Sequence, residues 1–171
     1  GMFEVTIPQS SDDWQAYYHL RWQVLRAPWE QPRGSEQDDL EQESEHRFIK
    51  NKDGEVIAVA RLHFNNSQQA QVRYMAVDDA HRGQHLGSRL LHELEKIAWN
   101  QDASELVLFA RERALKFYQR HGYELKEKAH LAFGDVQHWK MVKQRPSEPG
   151  WFRHPDWTQV LQDTWRESIP I

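Results

Sequence analysis

Leu86, Leu90, Leu91, Leu94, Ile97 and Ala98 recur at helical spacing, and Gln71 to Val77 just before them alternates in the manner of a strand. Between the two lies His81-Arg-Gly-Gln-His-Leu-Gly87, so the unit reads strand, glycine-bearing turn, helix. Upstream, Phe3 to Ile7 alternates and predicts a first strand closed by Pro8. Ser10, Ser11 and Asp12 then cap a helix carrying Trp14, Tyr17, Tyr18, Leu20, Val24 and Leu25, ended by Pro28. Ser35 to Glu45 predicts a short acidic helix or a loop. His46 to Lys50 and Glu55 to Phe64 read as a hairpin around Asn51-Lys-Asp-Gly54. Downstream, Glu105 to Ala110 predicts a parallel strand and Arg113 to His121 a helix. Tyr123 to Ala129 and His138 to Lys143 predict a last hairpin with Gly134-Asp135 in its loop.

The predicted order is β, α, α, β, β, β, α, β, α, β, β. It implies an α/β (α+β) fold, with a mixed, mostly antiparallel sheet flanked by helices. After Lys143, Arg145-Pro-Ser-Glu-Pro-Gly150 breaks the pattern, Trp151 and Phe152 follow, and Asp156 caps a helix through Arg166. The chain thus divides into a domain over residues 2–143 and an aromatic C-terminal extension over 144–171. That extension is too short for a core of its own, so it packs on the domain, stays loose, or makes a homodimer contact.

Composition narrows the class. The 171 residues fit one domain, and the absence of cysteine removes disulfides and thiol nucleophiles. No apolar run approaches a membrane span and the N-terminus lacks a signal pattern, so a soluble, cytoplasmic protein with no membrane partner is expected. With 22 basic against 26 acidic residues there is no basic field to recruit nucleic acid. Acidic residues cluster between 30 and 45. Eight tryptophans are many for this length, and one or two are expected to line a cavity while most pack.

The turn at 81–87 has chemistry of its own. A helix N-terminus offers unpaired N–H groups and partial positive charge, glycine lets an anion approach the backbone, and Arg82 adds a full charge. A plain packing turn is the alternative reading. The P-loop ending and the three-glycine dinucleotide pattern are both missing. Ten histidines raise a metal site at His81, His85 and His92; only His81 and His85 have helical ligand spacing, and Gly83 between them argues against a helix there, so no metal is expected.

Arg82-Gly-Gln-His-Leu-Gly87 resembles the R-x-x-G-x-G/A cofactor signature of the GNAT superfamily of acyl-CoA N-acyltransferases, with His85 in place of the middle glycine. Phe109 to Tyr123 is similar to the same family's strand, helix and FY-x-x-x-GF/Y segment. The resemblance spans roughly residues 3 to 143. It implies an N-acetyltransferase that moves an acetyl group from acetyl-CoA to a small-molecule or peptide amine by direct attack in a ternary complex. It also implies cofactor contacts from Met75, Ala76, Val77, Arg82, Gly83, Gln84, His85, Leu86, Gly87 and Ser88, largely through backbone. His85 is expected to fit if its φ is negative. Tyr118 matches the family's frequent general acid. Some relatives place a glutamate where this chain has Gln71, and many have an asparagine at Arg111. The candidate bases are therefore His138, His63 or a carboxylate of the acidic run, with His138 chosen because the late hairpin is expected to turn it into the pocket. The acidic run is also a candidate for attracting a cationic amine, its alternative being a solvated surface helix. A non-catalytic acyl-CoA-binding or interaction module on the same fold is the competing reading.

Overall fold

The turn chemistry at Asn51 sets the first part of the sheet. The Asn51 side-chain oxygen accepts from the N–H groups of Asp53 and Glu55, and Gly54 takes the left-handed φ of 82° that closes the hairpin. The computed structural model describes residues 3–147 and 170–171. Its strands are β1 (Val5–Thr6), β2 (Glu45–Lys50), β3 (Val56–Phe64), β4 (Gln69–Val77), β5 (Glu105–Arg111), β6 (Glu124–Ala132) and β7 (Val136–Gln144). They form one sheet in the order β1-β2-β3-β4-β5-β7-β6, antiparallel except where β4 meets β5. The mixed sheet is the expected one.

Helix α1 (Ser11–Leu25) opens with a capping box: Ser10 Oγ accepts from Asp13 N–H, and the Asp13 carboxylate accepts from Ser10 N–H. It lies on one face of the sheet, where Tyr17, Leu20 and Leu25 pack with Phe48, Val59, Tyr74 and Ala76. Helices α2 (Leu86–Asn100) and α3 (Leu115–Arg120) cover the other face, burying Leu86, Leu90, Leu91, Leu94 and Phe117 with Ile57, Leu62, Met75 and Leu108. The apolar stripe read from the sequence is the stripe that α2 buries. At about 2–5 kcal/mol for truncating a buried leucine to alanine, this face anchors the helix.

Several boundaries differ from expectation. The first strand keeps only Val5 and Thr6, and α1 ends at Leu25, before a 3-10 turn over Ala27–Trp29. The acidic stretch forms no α-helix, only turns and a 3-10 turn at Glu41–Glu43, because its carboxylates are drawn inward to arginines. The helix expected over 113–121 is a 3-10 turn at Glu112–Ala114 followed by the short α3. The final hairpin is longer and its loop tighter, with Phe133 and Gly134 both at positive φ. The expected helix from Asp156 to Arg166, with Trp151 and Phe152, lies outside the described residues. No helix among the described residues is long and apolar enough to cross a membrane.

One irregularity positions the site. β4 is not a simple alternating strand: Tyr74 has φ 57°, and the register against β3 slips between Val59 and Arg61. This is a β-bulge, which moves side chains to the opposite face beyond it. Arg73 and Tyr74 consequently share the α1 side, the Arg73 guanidinium lying 4.5 Å from the Tyr74 ring centroid, while Met75 and Val77 join the α2 core. β4 pairs with β5 only through Gln69 to Gln71. Beyond that the two strands diverge, leaving an opening in the middle of the sheet.

Candidate active site

Two cavities flank the opening. The first, about 350 Å³, is bounded by Val77, Arg82, Gly83, His85, Leu86, Gly87 and Ser88 from the turn and the start of α2, with Trp29, Arg113, Phe117 and Pro170 around them. The second, about 250 Å³, is bounded by Arg26, Gln71, Arg73, Tyr74, Phe109, Arg111, His130, Phe133 and His138, with Ile171 between the two strands. Trp29 separates them: its ring stacks on Phe133 at 5.6 Å and lies 4.3 Å from the Arg111 guanidinium. A tryptophan at a cavity wall was expected from composition.

In the first cavity, Gly83 has φ 86° and His85, the N-cap of α2, has φ 62°. The condition under which a Cβ fits at His85 without strain, a negative φ, is not met. The turn requires a left-handed residue before the helix, and the imidazole is carried there at the expense of backbone strain. Burial, then Arg89, lowers the His85 pKa, so it adds no charge at pH 7. Ser88 Oγ is hydrogen-bonded to His121 Nε2 at 2.9 Å, which leaves its N–H as the group it can offer at the helix start. Burial brings His121 down to about 3, so that imidazole is neutral as well. An anionic pyrophosphate fits this cradle: Arg82 and Arg113 bring charge, and a helix N-terminus with left-handed turn residues presents backbone N–H groups. Of the other residues expected to contact the cofactor, exposed Gln84 and the β4 residues Met75 and Ala76 do not line this cavity.

Met75 sits at the opening itself. Its carbonyl accepts a hydrogen bond from Ile171 N–H at 3.1 Å, so this edge of β4 is turned toward the gap. Ile171 is buried with the α2-side core.

The expected catalytic pair divides between environments. Tyr118 is fully buried, edge-on to Phe117 and Tyr123, and lines neither cavity. Burial raises its pKa well above the ordinary value, making the phenol a hydrogen-bond donor rather than a ready acid. His138 lines the second cavity. Its Nδ1 lies 3.0 Å from Val136 O, and since a carbonyl only accepts, Nδ1 carries the proton and Nε2 the lone pair. Burial, then the nearby His130 and Arg111, outweighs that hydrogen bond and lowers its pKa, so the ring is neutral at pH 7. His130 stacks on it at 4.6 Å.

The other base candidates are engaged. His63 Nδ1 accepts from Arg61 Nη2 at 3.1 Å, so its Nε2 donates to Asn65 Oδ1. In the acidic run, Asp38 binds Arg61 at 2.6 Å and Arg73 at 2.8 Å, while Glu41 binds Arg21 and Arg61. Those carboxylates do not face the second cavity, and no Asp or Glu lines it. The picture of an acidic run drawing in a cationic amine is therefore corrected: it neutralises buried arginines. Arg26, Arg73, His130 and Phe133 were missed because no motif carries them; they converge from α1's end, β4 and the last hairpin.

Comparison with known proteins places the fold and the family. The sequence pattern of the acetyltransferase (GNAT) family matches residues 14–123. Over 141 residues the chain is 30% identical to YjcF of Bacillus subtilis (strain 168), an uncharacterized N-acetyltransferase, covering 82% of this chain and 99% of that one. Among solved structures, Ard1 from Thermoplasma volcanium superposes with TM-score 0.72 at 18% identity, over 85% of this chain and 99% of that one. A GNAT family acetyltransferase from Elizabethkingia anophelis with acetyl-CoA bound superposes with TM-score 0.64 at 14% identity, over 84% and 99%. The chain belongs to the GNAT acetyltransferase family. Its family activity is acyl-CoA-dependent acyl transfer.

Proposed function

We propose that the protein is an acetyl-CoA-dependent N-acetyltransferase in which cofactor and amine meet at the opening between β4 and β5. The observation that carries this reading is the pair of cavities on either side of that opening, one built to cradle an anion and one holding a neutral histidine with a free lone pair. Residues 82–88 would hold the pyrophosphate, and Met75 to Val77 would run beside the pantetheine arm. When bound, acetyl-CoA supplies an acetyl thioester.

The chain's residues then have separable tasks. His138 Nε2 accepts a proton from the incoming ammonium, so that a neutral nitrogen with its lone pair attacks directly and no acyl-enzyme forms. Tyr118 would keep its proton and donate a hydrogen bond to the departing sulfur, a role that requires the buried phenol to be uncovered when the cofactor binds. Residues 170 and 171 lie against the domain at Met75, whose carbonyl accepts from Ile171 N–H.

Thiol release from acetyl-CoA across an amine panel tests the reading. Tyr118→Phe is expected to lower kcat with little change in cofactor KM, and His138→Gln to lower kcat by about 10²–10⁴-fold. Because the His138 pKa is depressed, the acid limb of the rate profile should lie below the ordinary histidine value of 6.5. If the cofactor bound yet every amine stayed silent, the non-catalytic module would be the better description.

A further inference from the structure

The second cavity is lined by three arginines and by no aspartate or glutamate. Arg111 is 95% buried by its 5% exposure, and neither its Nε nor its Nη1 has a hydrogen-bond partner. No ion pair among the described residues joins it. Arg26 comes from the opposite wall and spends two of its N–H groups on the carbonyls of Ser35 and Leu25. Arg73 stands at the rim with Asp38, a carboxylate it shares with Arg61. A buried guanidinium without a counter-ion is unfavourable unless something else supplies the charge. Burial, with repulsion from Arg113 and Arg26, brings Arg111 down only to about 10, so it stays protonated at pH 7.

Register fixes the scale of what fits. Arg111 on β5 is the direct partner of His138 on β7, and both line the cavity. Opposed residues of an antiparallel pair have Cβ atoms about 4.5–5.5 Å apart on one face. A cavity of about 250 Å³ is also smaller than the ~300–1,000 Å³ of drug-sized sites. We propose that this cavity seats the oxyanion of a small amine, of amino-acid size, with Arg111 on its carboxylate or phosphate and its nitrogen beside His138. The inference rests on the acyl-transfer reading and names its acceptor class. A guanidinium fork suits either oxyanion by two parallel hydrogen bonds.

Matched amines decide it: β-alanine with propylamine, and O-phosphoethanolamine with ethanolamine. In the wild type, kcat/KM for at least one anionic member is expected to exceed its neutral partner by about 10–100-fold, the size of a charge-assisted contact; which pair shows it separates carboxylate from phosphate. Arg111→Met should collapse that ratio toward one, and its melting temperature should not fall, because an unpaired buried charge is removed. Independently of that variant's folding, propionate or inorganic phosphate should compete with the amine in the wild-type protein but not with acetyl-CoA. Equal turnover of the paired amines, or a ratio surviving in Arg111→Met, would overturn the proposal while leaving the acetyltransferase standing. The reverse result, no thiol release from any amine although β-alanine or O-phosphoethanolamine stabilises the wild type and not Arg111→Met, would support the anion site and reject the acyl-transfer reading.

Discussion

His85 concentrates the tension between pattern and backbone. A left-handed conformation disfavours a Cβ by roughly 1–2 kcal/mol, reduced for histidine, which enters that region more readily than most residues. His85→Gly is therefore expected to stabilise the fold by about 0.5–1 kcal/mol, raising the melting temperature by about 2 °C. Removing the Cβ and ring also opens the backbone at the start of α2, so the same variant should bind coenzyme A more tightly in a calorimetric titration. Weaker binding with a raised melting temperature would instead assign the imidazole a direct role in the cradle. From sequence, the position was visible as a departure from a glycine pattern; the sign of φ was not, since it depends on how the 3-10 turn at Asp79–His81 delivers the chain to the helix.

At the scale of elements, the acidic run and α1 are held to the sheet by charge. Arg21 and Arg61 have fully buried side chains, and Glu41 bridges both while Asp38 grips Arg61 and Arg73. Burial would raise the Asp38 carboxyl, but hydrogen bonds from Arg61 and the Leu40 N–H outweigh it and bring it from 3.8 to about 2. A folded-state pKa below the unfolded one contributes stability that is present above pH 3.8 and lost as pH falls toward 2. Asp38→Asn should thus lower stability at neutral pH by about 2 kcal/mol in urea unfolding and flatten the loss between pH 4 and pH 2. A variant whose acid limb matched the wild type would show that the ion network is not what holds this segment. Neither sequence reading of the acidic run, an attraction for an amine or a solvated surface, found its partners, because Arg21, Arg61 and Arg73 are distant in the chain and meet only across α1, β3 and β4. The bulge at Tyr74 is equally hidden, because Gln71 to Val77 alternates well enough without it.

For the whole molecule, the point of interest is where residues 170 and 171 come to rest. Ile171 donates to Met75 O and packs in the core at the same edge of β4 that the proposed function reserves for the pantetheine arm. Both cannot occupy it. Removing residues 170 and 171 is expected to lower the KM for acetyl-CoA several-fold, measured by thiol release, with kcat changed less; an unchanged or higher KM would mean that the two do not compete.

The sequence by itself determined the strand–turn–helix unit, its buried leucine face, the hairpin at Asn51 and the family, because each depends on residues close together in the chain and on their periodicity. Tertiary structure alone decided which charges are spent internally and which remain. Asp38 and Glu41 belong to an acidic run read either as an attraction for a cationic amine or as a solvated surface, and they are consumed by arginines, whereas Arg111, a mere departure from a pattern in sequence, becomes a buried cation opposite His138. The physical reason is that charge pairing and burial are set by segments brought together from 26, 73, 111 and 138, and no local pattern encodes that meeting.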